Sequence, residues 1–465
     1  MHELLAGDAW SMAEAVRERA VSARELAEAS LELAAADRTG AVWLLTEERA
    51  RREADAVDRA VAAGDDPGPL AGVPVGWKDL IDTAGIRTTF GSAVYRDRVP
   101  DRDADVVERH TAAGAVTVAK LATHELAWGT TTQNPHFGDC RNPYDTSRVP
   151  GGSSGGSAAA LATRLVGLAP GTDTGGSIRC PASCCGVVGL KPTFGRVSLA
   201  GINPLCISLD HCGPMARSVR DCARSLEIMA GDSPRDPRTP PVAVDAYREA
   251  LTAGVAGKVV GVPERYFFEH TAPDIADRVR AALDVLVAAG ARPVEFDLGW
   301  PVEGEPGGGF YVTEQTVAVG GAWPEHAHEF GADVVVGMRA AERVSGIEAA
   351  ATGLVELDYR ARLGEQARAA GIDLVVTPSQ AFPPPHAGVD DVPFAGRPAV
   401  PVTVAMCGLT EVFNVLGWPA ISLPCGLDGN GLPVGAQIAA LPWREFDCLA
   451  AAAVVEQALG PLPPP

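Results

Sequence analysis

The pattern of apolar and polar positions divides the chain into stretches of different texture. The first 65 residues read as helical. Ser22-Ala-Arg-Glu25 places Glu three residues after Ser, a capping-box pattern, and leads into the run ELAEASLELAAAD. Gly64-Asp-Asp-Pro-Gly-Pro69 then breaks the pattern with turn residues. From Leu70 to about Gly231 short apolar runs alternate with glycine loops. VGLAPGTDTGGS and CCGVVGLKPTFG read as buried strands alternating with helices. Residues 232–243 are rich in Pro and Asp and form a surface connection. After it, a strand at 258–262, a helix at 274–290 and a strand at 292–296 predict a βαβ unit. The segment 300–370 is largely helical, and 373–377 is a strand opening onto the loop SQAFPPPHAG. Strands at 419–424 and 432–438 and a helix at 445–459 close the chain. No fixed-period repeat appears.

These elements predict one interwoven α/β unit over residues 1–465. N-terminal helices occupy 1–65, a core 70–231, a variable segment 245–400, and closing strands with a helix 401–465.

Composition narrows the possibilities. The 465 residues are 46% hydrophobic and 21% charged, which suits a folded globular chain with a sizeable core. A net charge of −20 argues against a nucleic-acid surface, which needs clustered Lys and Arg. No run approaches the ~20 apolar residues that span a bilayer. Met1–Trp10 has acidic residues but no basic run of the kind that begins a secretory signal, and the ten cysteines then read as reduced thiols in a cytoplasm. Six of them lie between Cys180 and Cys222 without a paired C-x₂-C, so no zinc or other metal site is expected. Only four lysines occur, Lys78, Lys120, Lys191 and Lys258.

Two glycine-serine loops hold the candidate chemistry. The first is Pro150-Gly-Gly-Ser-Ser-Gly-Gly-Ser157, followed by AAALATRL; the second is Gly171-Thr-Asp-Thr-Gly-Gly-Ser-Ile-Arg179. Either alone reads as a turn feeding a helix. A phosphate cradle is disfavoured, because neither ends in G-K-[ST] nor follows G-x-G-x-x-G order. Gly151-Gly-Ser153-Ser-Gly155 fits G-x-S-x-G, and a nucleophile elbow would then take its histidine from His211, His270, His326, His328 or His386.

Taken together, the loops resemble the amidase signature family of serine amidases, which includes bacterial amidases and the A subunit of the tRNA-dependent amidotransferase. The matching text is GVPVGWKDLIDTAG, NPHFGDCRNPYDTSRVPGGSSGGSAAA, GTDTGGSIRCPASCCGVVGLKPTFGRVS and SLDHCGPMARSV. FNVLGWPAISLPCGLDGNGLPVGAQI follows near the end. The resemblance implies a single α/β/α fold, a central mixed twisted sheet covered by helices on both faces. It implies a nucleophile at Ser177, a bridging serine at Ser153 after a cis Gly152–Ser153 bond, and a catalytic lysine at Lys78. Ser154, Asp173 and Arg179 match residues that brace the loops. The backbone N–H groups of Thr174, Gly175, Gly176 and Ser177 would form the oxyanion hole, and Trp128, Thr130, Gly151 and Gly152 are candidates for substrate contact. Trp77 stands where a small aliphatic residue is expected, and either narrows the site or fills core.

Amide hydrolysis needs an activated nucleophile, an oxyanion stabiliser and a proton for the leaving nitrogen. Lysine serves as base only when neutral, which requires lowering its pKa of ~10.4 by roughly 3 units. Burial supplies such a shift, and GVPVGWKDLI is apolar enough for it. Asp79 would oppose it, so Asp79 is expected to point away or to be otherwise paired. The implied function is hydrolysis of a small-molecule carboxamide without a cofactor, nucleic acid or membrane. The alternatives are the glutamine-hydrolysing component of an amidotransferase complex, acyl transfer to an amine, and an inactive scaffold; a homodimer stays open. The acyl pocket is expected from 122–137, 305–345 and 380–400, with Trp128, Phe310, Tyr311, Trp323, His326 and Phe394 as candidates.

Overall fold

Extended segments that are buried on both faces pair into one large sheet, and the amphipathic helices pack against it. The structure is a computed structural model and describes residues 2–301, 314–316 and 319–465. Val42–Leu45 (β1), Pro74–Lys78 (β2) and Val116–Leu121 (β3) form its first part in the order β1-β3-β2, with β2 and β3 parallel. Gly171–Asp173 (β4) pairs with His211–Gly213 (β6), as a short two-stranded ribbon. The second part uses Val188–Lys191 (β5), Met215–Ala216 (β7), Val259–Val262 (β8), Arg292–Glu295 (β9) and Leu374–Pro378 (β10). Asp391–Phe394 (β11) and Arg397–Pro401 (β12) form a separate hairpin, and Ala420–Leu427 (β13) and Pro433–Ala440 (β14) complete the larger sheet. Its order is β7-β5-β13-β14-β10-β8-β9. Leu168 bridges Val75 of β2 and Ala216 of β7, joining the two parts into a mixed sheet flanked by helices.

The expected βαβ unit is present: β8, the helix Pro273–Ala288 and β9 form a parallel pair. Ser22 accepts a hydrogen bond from Glu25 N while the Glu25 carboxylate accepts from Ser22 N, completing the capping box. The closing strand runs to Leu427, past the expected end at 424, because a bulge between Pro424 and Gly426 keeps it paired with β14. A single hydrophobic cluster extends from Leu5 to Val455. A second, smaller one joins Leu80, Phe90, Leu126, Ala127 and Leu205 to Phe330, Val334 and Met338.

Candidate active site

Lys78 is the last residue of β2, in a strand whose five residues are all buried. Its Nζ lies 2.7 Å from Ser153 Oγ, 2.8 Å from Ser154 Oγ and 2.8 Å from Thr172 Oγ1. Burial lowers its pKa from 10.5 to about 7, against the opposing pull of Asp173 and Asp210. Asp79, the next residue, turns to the other side. Its Oδ2 accepts from Thr89 N at 2.9 Å and Thr89 Oγ1 at 2.6 Å, and Lys120 Nζ stands 3.5 Å from its Oδ1. Trp77 is fully buried, donates from Nε1 to Thr117 Oγ1 and meets the His110 ring edge-on, so it fills core.

The two serine loops lie against each other. The Gly152–Ser153 peptide bond is cis, as expected. Ser154 N donates to the Ser177 carbonyl at 3.3 Å. Ser154 Oγ donates to the Thr172 carbonyl at 3.2 Å and accepts from Thr172 N at 3.3 Å. A Cβ on Gly151 would stand 2.7 Å from Pro181 Cα, and one on Gly152 would stand 2.8 Å from the Thr130 carbonyl carbon, so the loop has no room for side chains there.

Beneath the second loop, Asp173 and Arg179 form a fully buried bidentate pair, Nε to Oδ2 at 3.0 Å and Nη2 to Oδ1 at 2.8 Å. Asn414 Nδ2 donates to Asp173 Oδ1 at 2.8 Å, and Arg179 Nη1 donates to Gln437 Oε1 and the Thr410 carbonyl, each at 2.7 Å. Arg179 is the largest of the favourable influences that hold the Asp173 carboxyl well below its ordinary range despite burial. Thr410 Oγ1 donates to the Gly175 carbonyl at 2.6 Å, and a Cβ on Gly176 (φ +142°) would lie 2.1 Å from that hydroxyl. The N–H groups of Gly175, Gly176 and Ser177 donate to no acceptor among the described residues. They remain available to an oxyanion, while Ser177 is 5% exposed.

Thr172, Thr410, Asn414 and Gln437 were not singled out in the sequence. The last two lie within the closing motif, which was their only signal. Among the proposed contacts, Thr130 Oγ1 is buried with no hydrogen-bond partner among the described residues, and the Trp128 ring packs directly over Gly337. A cavity of about 370 Å³ opens beside Thr172 and Thr174. Its described lining takes only Ala127 from the segments expected for the acyl pocket; the remainder is Thr172, Thr174 and residues of 199–211 and 235–238. Phe310 and Tyr311 lie outside the described residues. Trp323 packs on Phe330 and beneath Arg339, His326 pairs with Glu329, and Phe394 belongs to a ring cluster with Tyr266, His270 and Phe382. The elbow alternative fails at His211, whose Nδ1 meets the Leu209 carbonyl and whose Nε2 faces Lys191 Nζ.

The geometry accords with the chain's likeness to known proteins. The chain is 37% identical over 487 residues to the A subunit of the glutamyl-tRNA(Gln) amidotransferase from Synechococcus sp. (strain RCC307), covering 97% of this chain and 96% of that one. The native peptide amidase of Stenotrophomonas maltophilia superposes with a TM-score of 0.85 at 30% identity, over 100% of this chain and 99% of that one. A protein of a vestigial complex tied to the evolutionary origins of an s-triazine catabolic enzyme superposes with a TM-score of 0.92 at 33% identity, over 99% and 100%. The amidase family model matches residues 25–449. The chain belongs to the amidase signature family, hydrolases that act on amide C–N bonds.

Proposed function

We propose that the chain hydrolyses a small-molecule carboxamide through an acyl-enzyme on Ser177, with Lys78 as base and Ser153 as relay. The observation that carries this reading is the 2.7 Å contact between Ser153 Oγ and a fully buried Lys78 Nζ. A neutral amine has two N–H groups and one lone pair, and three hydroxyls surround it. Ser154 gives its proton to the Thr172 carbonyl, so it accepts from Lys78. Thr172 Oγ1 takes the second N–H, which leaves the lone pair for the Ser153 proton. Ser177 Oγ then attacks the carbonyl carbon, its proton passing to Ser153 as the Ser153 proton passes to Lys78. The N–H groups of the 174–177 loop receive the oxyanion. The proton returns through Ser153 to the leaving nitrogen, the C–N bond breaks, and water cleaves the ester by the same relay. Asp173, Arg179 and Ser154 hold the loops in place, and Thr130, Gly151 and Gly152 border the scissile group, with Trp128 one residue before Gly129 and two before Thr130.

A fluorophosphonate should label Ser177 in the wild type and not in Ser177→Ala, which should also lose all amide turnover while keeping its fold. Turnover retained by that variant would end the assignment. Lys78→Ala should be equally severe, and Ser153→Ala should keep a residue of activity, since a water can occupy the vacated relay position.

The relatives named as amidotransferase subunits favour a second reading, in which the chain releases ammonia from glutamine for a partner. Gel filtration with a glutaminase assay of the purified chain separates the two: a stand-alone amidase, monomer or homodimer, acts without a second polypeptide. The ten cysteines, all free, support a cytoplasmic setting. No helix among the described residues is long and apolar enough to cross a membrane.

A further inference from the structure

We propose that the cavity beside Thr172 and Thr174 receives the non-reacting part of the substrate and selects an uncharged, largely apolar group; this rests on the amidase reading above. At about 370 Å³ the cavity is near the small end for ligand pockets. It touches the machinery directly, because Thr172 Oγ1 contacts Lys78 and Thr174 belongs to the loop before Ser177. A group seated there lies against Thr174, three residues before Ser177, and against the threonine that contacts Lys78.

The described wall is apolar for most of its extent and includes Leu199, Ile202, Pro204, Leu205 and Ile207. Its ionisable groups are all engaged within the protein. Asp210 accepts from Thr174 Oγ1 at 2.6 Å, Leu205 N at 2.8 Å and Cys206 N at 3.1 Å. Arg235 faces Asp105 at 2.6 Å and Glu108 at 3.2 Å, and Arg238 faces Asp236 at 2.7 Å. His211 is kept neutral by burial and has a partner at each ring nitrogen. A substrate carboxylate would therefore lose its hydration here and meet no cation that is not already facing a carboxylate. An uncharged group loses little on entry and gains from contact with the apolar wall. Free glutamine, which carries both a carboxylate and an ammonium group, is a poor fit.

The test compares kcat/KM for phenylacetamide, benzamide and acetamide with that for L-glutamine and succinamic acid. The neutral aryl amides should exceed both charged amides by at least about 100-fold, which corresponds to somewhat less than 3 kcal/mol. Ile202→Trp, which fills the cavity, should lower the phenylacetamide-to-acetamide ratio of kcat/KM at least tenfold. Ile207→Trp, at a position 40% exposed and so tolerant of change, should shift the ratio the same way. A charged amide hydrolysed as fast as the neutral ones, or an unchanged ratio in both variants, would overturn the proposal. Absence of turnover on every amide together with an unlabelled Ser177 would instead remove the amidase reading, and this proposal with it.

Discussion

Lys78 sits where a charge is costly, and the acids that act on it, Asp173 and Asp210, do not offset that cost. Asp79 is adjacent in sequence, but its carboxylate is taken up by Thr89 and Lys120, whose Nζ is itself fixed by the Ile81 carbonyl at 2.5 Å and Thr88 Oγ1 at 2.7 Å. Activity needs the neutral amine, so kcat/KM should rise with pH through a midpoint near the folded-state value of about 7 and level off above it. Stability carries the matching signature. Below pH about 7 both folded and unfolded chains hold the proton, and the folded state bears the full cost. Between about 7 and 10.5 only the unfolded chain holds it, so the cost falls as pH rises. Relative to Lys78→Met, the wild type should gain roughly 1.4 kcal/mol of unfolding free energy per pH unit across that window. A pH-independent difference in urea denaturation would show that Lys78 titrates as an ordinary lysine.

At the scale of elements, the site is the meeting of the end of β2 with two loops, and the buried Asp173–Arg179 pair fixes the second loop over β13 and β14 through Gln437. Asp173→Asn leaves the Arg179 guanidinium buried without its counter-charge. It should cost about 3–5 kcal/mol by chemical denaturation, and kcat should fall in the folded fraction as the N–H groups of Gly175, Gly176 and Ser177 lose their support. Much of this arrangement was legible in the sequence, because Lys78, Ser153 and Ser177 each sit in a motif of fixed internal spacing. Of the brace, Thr410 was not marked at all and Asn414 only by lying in the closing motif. Those residues act across 235 and 241 positions of chain through ordinary hydrogen bonds, and nothing local in the sequence distinguishes a threonine bound to Gly175 from any other. The acyl pocket was expected from 122–137 and the variable segments 305–345 and 380–400. The cavity beside Thr172 and Thr174 shares only Ala127 with them among the described residues, and its wall is otherwise largely aliphatic side chains, prolines and self-paired charges.

Across the whole molecule, the sheet halves joined at Leu168 share one hydrophobic core, while the smaller cluster stands apart from it. That smaller cluster holds Ala127 and Leu205, which line the cavity, against Phe330, Val334 and Met338 of the segment that includes the helix Ala332–Ala341. Among the described residues the other ties of this helix include Gly331 N donating to Glu125 Oε2 at 2.7 Å, Asp333 Oδ2 meeting His124 Nε2 at 2.6 Å, the Trp128 ring over Gly337 and Arg339 over Trp323. Breaking them exposes the small cluster without disturbing the main core, so this segment can open well below the global unfolding free energy. Native-state hydrogen exchange should show amides of the helix Ala332–Ala341 exchanging at least about tenfold faster than those of the helix Gly155–Ala162, which is wholly buried behind Ser153. A neutral amide analogue seated in the cavity would press on Ala127 and Leu205 and tie the cluster to the reacting loops, so it should slow exchange in the first helix and leave the second unchanged. Equal protection in both helices would mean that the small cluster behind Ala127 and Leu205 opens only when the whole molecule does.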